Sequence, residues 1–190
     1  MREHIYIATK TAATTAEGFW KDLETSLHNL KTDYVDIYQF HNPAVCPKPG
    51  DGSGLYEAML EAKEQGKIRF IGITNHRMSI AEEAIESGLY DTLQFPFNYL
   101  STEREIALAK ACAEHEMGFI AMKGLSGGLL TNSAAIYAYM HSLRMYCRSW
   151  GVREGKTEAG RIFKTTSAIH RELTDELKAV IEKDQKELAR

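Results

Sequence analysis

Five short apolar runs in this chain alternate with longer amphipathic stretches, and each run leads into a polar residue. These polar residues are Lys10, His41, Asn75, Asn98 and Lys123, and consecutive ones stand 31, 34, 23 and 25 positions apart. Such a spacing is about one strand–helix unit. Nearly continuous apolar runs are typical of strands that are buried on both faces of a parallel sheet. The pattern therefore predicts an α/β protein with parallel strands.

Polar signatures between the runs predict where several helices begin. The pattern Ser/Thr-x-x-Glu, in which a hydroxyl and a carboxylate satisfy free backbone N–H groups, starts at Thr14, Ser79 and Thr102. Helical periodicity predicts two further helices, over about 55–65 and 132–143. Each helix then follows or precedes an apolar run, as in a chain of βα units.

The regular pattern covers residues 1–140, stops, and returns as an amphipathic helix at 174–190. The segment between them, 141–173, holds seven Lys or Arg against three Asp or Glu and offers no clear apolar face. At 190 residues the chain is short for a closed barrel of eight units, which needs about 250. We therefore expect an incomplete barrel whose unpaired sheet edge favours self-association.

Composition narrows the classes of partner. The net charge of −3 argues against nucleic acid or an anionic membrane as the main partner. With no membrane-length apolar stretch and no secretory signal, the expected location is the cytoplasm. Three scattered cysteines, Cys46, Cys112 and Cys147, show no metal-ligand spacing, so we expect neither a metal site nor iron–sulfur ligands in this chain.

Lys10 and His41 are candidates for chemistry because both end apolar runs. The carboxyl ends of barrel strands open on one face, and that face carries the active site. Neighbouring strands lie about 4.8 Å apart, so two such side chains at matching heights share a pocket. Alone, each has a plainer interpretation, as a solvated strand-end lysine or a structural histidine. Lys10 would also suit a lyase or isomerase that forms a Schiff base.

Three polar residues near later runs are candidates for binding an amide. Thr74 and Asn75 follow one apolar strand, and Gln94 lies inside another. A buried carboxamide needs partners, which a flat heterocycle with its own amide would supply. The alternative is that Gln94 ties down a neighbouring loop. The glycine cluster 124–128 either offers backbone N–H groups to a phosphate or forms only a tight turn.

Two charged residues interrupt otherwise apolar runs. Asp36 and Arg69 stand near the starts of the second and third runs. Opposite charges inside neighbouring strands predict a structural ion pair.

Taken together, these runs resemble the aldo-keto reductase family. The most specific match is Asp33–His41, which is similar to the family's fourth barrel strand. Four further segments resemble the family's third, fifth, sixth and seventh strands, in that order. They are Ile7–Lys10, Lys67–Asn75, Leu93–Asn98 and Ile120–Gly128. The resemblance implies an incomplete (β/α)8 TIM barrel with a doubtful eighth strand, nearest to the anaerobe-type branch that carries a C-terminal ferredoxin-like extension.

The family reduces carbonyls with NADP(H) and uses an Asp, a Tyr, a Lys and a His. By resemblance Lys10 and His41 take the last two roles: the lysine lowers the pKa of the tyrosine and the histidine orients the carbonyl oxygen. The family's Asp and Tyr belong to its first two strand units, and Tyr38 does not match that position. The resemblance therefore implies an oxidoreductase for a small-molecule aldehyde or ketone that is catalytically incomplete as this chain. The alternative is a non-catalytic nicotinamide-nucleotide-binding or regulatory module.

The resemblance also implies which residues contact the cofactor. Thr74, Asn75 and Gln94 would hold the nicotinamide amide. The contacts implied from the end of the fifth run onward are Met122, Lys123, Leu125 and Gly127, of which Leu125 and Gly127 would approach the pyrophosphate. Met122 stands where many members have an aromatic ring. In the basic segment, Arg148 and Arg153 suit a 2′-phosphate, unless the segment is a misread or decayed stretch.

Overall fold

The computed structural model describes residues 2–142 and 172–188. Its strands are β1 (Ala8–Thr11), β2 (Val35–His41), β3 (Ile68–Thr74), β4 (Thr92–Pro96) and β5 (Gly118–Met122). The helices are α1 (Ala16–Leu30), α2 (Leu55–Glu64), α3 (Met78–Ser87), α4 (Glu103–Glu114), α5 (Ser133–Ser142) and α6 (Asp175–Leu188). Two 3-10 turns, Arg2–His4 and Ser126–Gly128, complete the described elements. The predicted alternation of strands and helices is confirmed.

The five strands form one sheet in the order of the chain, β1-β2-β3-β4-β5. Strands β1 to β4 pair in parallel, and their register places Lys10 beside Gln39. It also places His41 beside Thr74, and Thr74 beside Gln94. Because paired residues of parallel strands point to the same face, this register brings polar side chains of four strands to one side of the sheet.

The chain divides into two compact units, Met1–Gln94 with Glu114–Gly118, and Phe95–Ala113 with Phe119–Arg190. In the first unit, α1 packs on the sheet through Phe19, whose ring meets the Tyr38 ring edge-on at 5.5 Å between centroids. Both side chains are fully buried. The hydrophobic core of the first unit thus lies between its helices and one face of the sheet.

The second unit has its own hydrophobic cluster around α5 and α6. The buried members are Tyr99, Leu130, Ala135, Ile136 and Ile181. Helix α6 is tied to this cluster by the Gln185 side chain, which donates to the Tyr99 carbonyl at 2.6 Å, and by Asp184, which accepts from the Tyr99 hydroxyl. The amphipathic helix predicted at the C-terminal end is therefore present, with Ile181 on its buried side.

All three of the predicted capping positions can be compared directly with the structure. The capping box at Thr102 is confirmed, because its backbone N–H and hydroxyl both bind Glu105. The start assigned to Thr14 is wrong by one residue. The N-cap is Thr15, with extended backbone, and its hydroxyl accepts from the Gly18 N–H at 3.2 Å. Two successive threonines made the position ambiguous in the sequence.

The start assigned to Ser79 is also wrong, because that residue lies inside α3. The helix begins at Met78, one residue before Ser79. The Asn75 side-chain oxygen accepts from the backbone N–H groups of His76 and Arg77, each at 2.9 Å, and so orders the turn that leads into α3.

The predicted ion pair between Asp36 and Arg69 is confirmed at 3.1 Å, and Arg2 adds a second ion pair at 2.8 Å. The Ile7 N–H also donates to this carboxylate, which is 1% exposed. Burial alone would raise the pKa of Asp36, but the Ile7 N–H and the two guanidiniums outweigh it and hold the pKa below its usual value. The same guanidiniums stack on the Tyr34 ring, at 4.0 and 4.9 Å from its centroid.

Several sequence-based predictions fall on residues 143–171, which lie outside the described residues. They are the eighth strand, the 2′-phosphate contacts of Arg148 and Arg153, and the prediction that Cys147 does not bind a metal. Among residues 2–142 and 172–188, no helix is long and apolar enough to cross a membrane.

We expect Asp36→Asn to lower the free energy of unfolding at neutral pH by about 2 kcal/mol, because two guanidiniums lose a charged partner. The Asp36 pKa is depressed in the folded state, so the carboxylate stabilises the fold above its unfolded pKa and loses this effect as the pH falls through the folded pKa. Urea unfolding at several pH values should show the difference between wild type and variant shrinking in acid. Asp33→Asn, an exposed position, is the control, and a pH-independent difference would contradict the expectation.

Strand β1 stands at one end of the sheet order, and its Ala8 and Lys10 side chains are exposed. An exposed edge offers unpaired N–H and C=O groups to another chain. We expect sedimentation velocity to show association that grows with protein concentration and weakens in Ala8→Lys. Thr25→Lys, on the exposed side of α1, should leave it unchanged. A monomer at every concentration would argue against edge pairing.

Candidate functional site

One face of the first unit's sheet is covered by helices and the other carries the predicted site. Tyr38 and Thr11 point to the helices, where the Thr11 hydroxyl donates to Asp22 at 2.5 Å. Residues one position away point to the opposite face, because side chains alternate along a strand. We name this side the inner face and define it by six residues. They are Lys10, Gln39, His41, Gly72, Thr74 and Gln94.

The structure brings Lys10 and His41 to the same face on neighbouring strands. Lys10 pairs in register with Gln39, and His41 follows two positions further along β2 on the same side. Both side chains are exposed, so both are accessible to a ligand. The two side chains therefore share a face, with His41 two residues further along than the partner of Lys10, and a pocket that holds both stays a prediction.

The environment of His41 favours the neutral imidazole. Desolvation lowers the pKa of His41 below its usual value, and the nearby Lys10 ammonium lowers it further. A neutral imidazole has one N–H donor and one acceptor nitrogen. At pH 7 His41 is therefore suited to donating a hydrogen bond to a neutral oxygen while Lys10 supplies the positive charge.

The turn that follows His41 is held by hydrogen bonds to the end of β3. The Asn42 N–H donates to the Thr74 carbonyl at 2.7 Å. The Asn75 side chain donates to the Pro43 carbonyl at 2.9 Å, and Arg77 donates to the same oxygen at 2.6 Å. Because these bonds fix both sides of the turn, they fix where the His41 backbone leaves the strand.

Asn75 is fully buried, and the structure gives its carboxamide partners at both ends. Its nitrogen binds the Pro43 carbonyl, and its oxygen accepts from the His76 and Arg77 N–H groups just before α3. Its backbone N–H also donates to the Gln94 carbonyl at 3.1 Å. The structure thus shows Asn75 joining three segments around the inner face, and its contact with a cofactor stays a prediction.

Gln94 is half-buried on β4, and its side chain binds Gln39, which was not among the residues predicted from the sequence. The Gln39 Nε2 donates to the Gln94 Oε1 at 3.0 Å, across the intervening strand β3. Gln39 is 2% exposed, and Thr74 is equally buried beside it. A polar residue inside the apolar run of β2 was the available signal for Gln39.

In the second unit, the remaining predicted cofactor residues lie on β5 and the turn that follows it. Met122 ends β5, and Lys123 has a left-handed backbone with φ of 56°. Its carbonyl accepts from the Ser126 N–H at 2.8 Å and from the Asn98 side chain at 3.2 Å. Gly127 also has a positive φ, of 71°, which a glycine adopts without strain.

Leu125 is 52% exposed in this turn of the second unit, although it is a large apolar side chain. The Gly128 and Leu130 N–H groups both donate to its carbonyl, at 2.9 and 3.2 Å. The turn is therefore a tightly closed loop that presents Leu125 to solvent. Its role beside a pyrophosphate stays a prediction.

A family model described as the aldo/keto reductase family matches residues 1–189. The chain belongs to the aldo/keto reductase family. The methylglyoxal reductase DkgB of Salmonella typhimurium is 34% identical over 149 residues, which are 70% of this chain and 53% of the relative. The aldo-keto reductase YhdN of Bacillus subtilis is 28% identical over 68% of this chain and 41% of its own length. The family inferred from the motifs is confirmed, and the anaerobe-type branch stays a prediction.

Solved structures show the same fold. The aldo-keto reductase AKR11C1 of Bacillus halodurans superposes with a TM-score of 0.58 at 24% identity, over 69% of this chain and 47% of that one. With the parallel five-stranded sheet, this confirms the prediction of a partial (β/α)8 barrel. The chain spans about half the length of the curated relatives it matches.

We expect Lys10→Met to raise the pKa of His41, because the substitution removes the positive charge that opposes protonation of the imidazole. NMR titration of the imidazole C–H resonances measures this pKa directly. Lys21→Met, on an exposed position of α1, is the matched control and should leave the His41 pKa in place. An equal His41 pKa in wild type and Lys10→Met would show that the two side chains do not interact.

Proposed function

We propose that this chain carries the lysine–histidine pair and the nicotinamide contacts of an NADP(H)-dependent reductase that converts aldehydes and ketones to alcohols. The supporting observation is the shared inner face, on which exposed Lys10 and His41 stand in register with Gln39 and Thr74. Membership of the aldo/keto reductase family supports the same reaction class. A cytoplasmic location and a small-molecule substrate are part of this proposal.

The inner face has the chemistry that a nicotinamide ring requires. Thr74 and Gln94 supply a hydroxyl and a carboxamide beside each other, and Asn75 is the third predicted contact. Met122, Lys123, Leu125 and Gly127, which lie in the second unit, stay cofactor contacts that the family resemblance predicts. NADPH, when bound, supplies the hydride that reduces the carbonyl carbon.

His41 is proposed to donate its ring N–H to the carbonyl oxygen of the substrate. A neutral imidazole can do this at pH 7 without competing for the proton that the oxygen finally receives. Lys10 is proposed to stabilise the negative charge that develops on the same oxygen or on an acid beside it. In the family a tyrosine is that acid, and Tyr38 does not match its position.

A second candidate is a nicotinamide-nucleotide-binding module without catalysis. The observation that favours it is the position of Tyr38, which is fully buried on the helix-covered face. Burial raises the pKa of Tyr38 well above its usual value, so this phenol is a poor acid as well as a distant one. The proton donor of the reductase proposal therefore has to be a group other than Tyr38.

We expect NADPH to bind this chain with a change in its fluorescence. Gln94→Leu should weaken binding about fivefold, the worth of one neutral hydrogen bond. Gln65→Leu, an exposed position after α2, is the matched control. Turnover is tested with methylglyoxal, because a relative bears the name methylglyoxal reductase.

The outcomes separate the two candidates. Slow carbonyl reduction that falls about a hundredfold in His41→Ala supports the reductase, since losing one hydrogen-bond donor to a developing negative oxygen costs on that scale. NADPH binding with no turnover above buffer supports the nucleotide-binding module. A chain that binds no NADPH contradicts both.

A further inference from the structure

The backbone takes an uncommon conformation directly after the candidate histidine. His41 ends β2, and the next residue, Asn42, has a positive φ of 53°. This left-handed region is unfavourable for residues that carry a Cβ, although asparagine tolerates it better than most. Asn42 also precedes Pro43, and a proline pushes the residue before it toward extended conformations. The turn therefore keeps its shape because other contacts hold it.

Three hydrogen bonds hold this turn against the end of β3 and the start of α3. The N–H of Asn42, an exposed residue, donates to the Thr74 carbonyl at 2.7 Å. The Pro43 carbonyl accepts from the Asn75 Nδ2 at 2.9 Å and from the Arg77 guanidinium at 2.6 Å. A charged donor makes a hydrogen bond roughly twice as strong as a neutral one. Of the two groups that hold the Pro43 carbonyl, Arg77 is therefore the stronger.

The loop is anchored a second time a few residues further on. Cys46 is 1% exposed, and the Tyr90 hydroxyl donates to the Pro47 carbonyl. Because the chain is fixed at both Pro43 and Pro47, the turn cannot relax by shifting along the loop. Strained backbone at functional sites persists where the surrounding structure over-determines it in this way.

We propose that Arg77 is a positioning residue for His41. By holding the Pro43 carbonyl it keeps Asn42 in the left-handed region, and so fixes how the chain leaves β2 and where the imidazole is presented. Arg77 acts through the turn and not by contact with substrate or cofactor. The inference rests on the proposed function, because the proposed bond from His41 to the substrate oxygen is what requires a fixed imidazole.

Hydrogen exchange of the Asn42 N–H measures how firmly the turn is held, because this residue is exposed and its N–H is protected by the bond within the turn. Arg77→Met removes the guanidinium at an exposed position. We expect the Asn42 N–H to exchange about tenfold faster in this variant, as for the loss of one bond from a charged donor. The Val35 N–H, which binds the Lys67 carbonyl at the amino end of the sheet, should exchange at the wild-type rate.

The imidazole C–H signals of His41 in NMR spectra show whether the side chain follows the turn. We expect these signals to move in Arg77→Met. Lys48→Met is the matched control, because it removes a positive charge from the same loop and leaves the Pro43 carbonyl untouched; Lys48 pairs with Glu83 at 3.8 Å. In this control the His41 signals and the Asn42 exchange should stay as in the wild type.

A second substitution tests whether Arg77 acts on the strained residue. Glycine adopts a positive φ without strain, so Asn42→Gly lowers the cost of the turn. In the double variant Asn42→Gly with Arg77→Met, exchange at position 42 is corrected for the intrinsic rate of glycine. It should then be about fivefold slower than in Arg77→Met alone. Exchange as fast as in Arg77→Met would overturn the link between Arg77 and the left-handed turn.

The remaining outcomes are equally decisive. Wild-type exchange of the Asn42 N–H in Arg77→Met overturns the proposal. Equal acceleration at Asn42 and Val35 also overturns it, because it reveals a loss of global stability. Faster exchange with unmoved His41 signals overturns the positioning role. Should Arg77→Met fail to fold by circular dichroism, Arg77→Ala decides by the same measurements.

Carbonyl reduction separates this inference from the proposed function. With methylglyoxal and NADPH, Arg77→Met should lower kcat about tenfold and leave the KM for NADPH unchanged, because a displaced imidazole slows the reaction without affecting the cofactor. An unchanged kcat overturns the positioning role. A wild-type chain that reduces no carbonyl refutes the proposed function, and the exchange and imidazole measurements then decide on Arg77 by themselves.

Discussion

The register of the parallel strands is the constraint on which the candidate site depends. Side chains alternate between the two faces of a strand, so a shift of one residue would send every polar group of the inner face into the helix-covered core. The observed register sets Lys10 beside Gln39 and His41 beside Thr74. The apolar partners of the same strands, such as Tyr38, hold this register because they are buried against the helices.

The ion pairs that stabilise the fold and the candidate catalytic residues lie at opposite ends of the strands. Near the amino ends, the buried Asp36 carboxylate is compensated by Arg2, Arg69 and a backbone N–H, which satisfies a charge that burial would otherwise disfavour. Near the carboxyl ends, Lys10 and His41 are exposed, and the Lys10 ammonium disfavours protonation of His41. This division is the one expected of a (β/α)8 barrel, whose carboxyl-end face carries the active site.

The polar groups of the inner face are supported by contacts across several strands. Asn75 links the turn after β2, the start of α3 and strand β4, while Gln39 reaches Gln94 over Gly72. Most of these bonds involve backbone atoms or carboxamides, which direct hydrogen bonds without changing charge with pH. These inner-face contacts therefore do not titrate, unlike the Asp36 ion pairs near the amino ends of the strands.

The sequence by itself determined the features that depend on local patterning. Alternating apolar runs and amphipathic stretches gave the parallel α/β sheet, and the ends of those runs gave Lys10 and His41, because strand and helix periods are properties of neighbouring residues. The tertiary structure alone decided that the Asn75 carboxamide binds the Pro43 carbonyl and that Gln39 meets Gln94. Those contacts join residues from different strands and loops, and the second exists only because Gly72 lies between its partners, where a Cβ atom would come within 2.7 Å of the Gln39 Cγ. The space over that glycine is created when the strands pack together, so no pattern within one segment could have shown it.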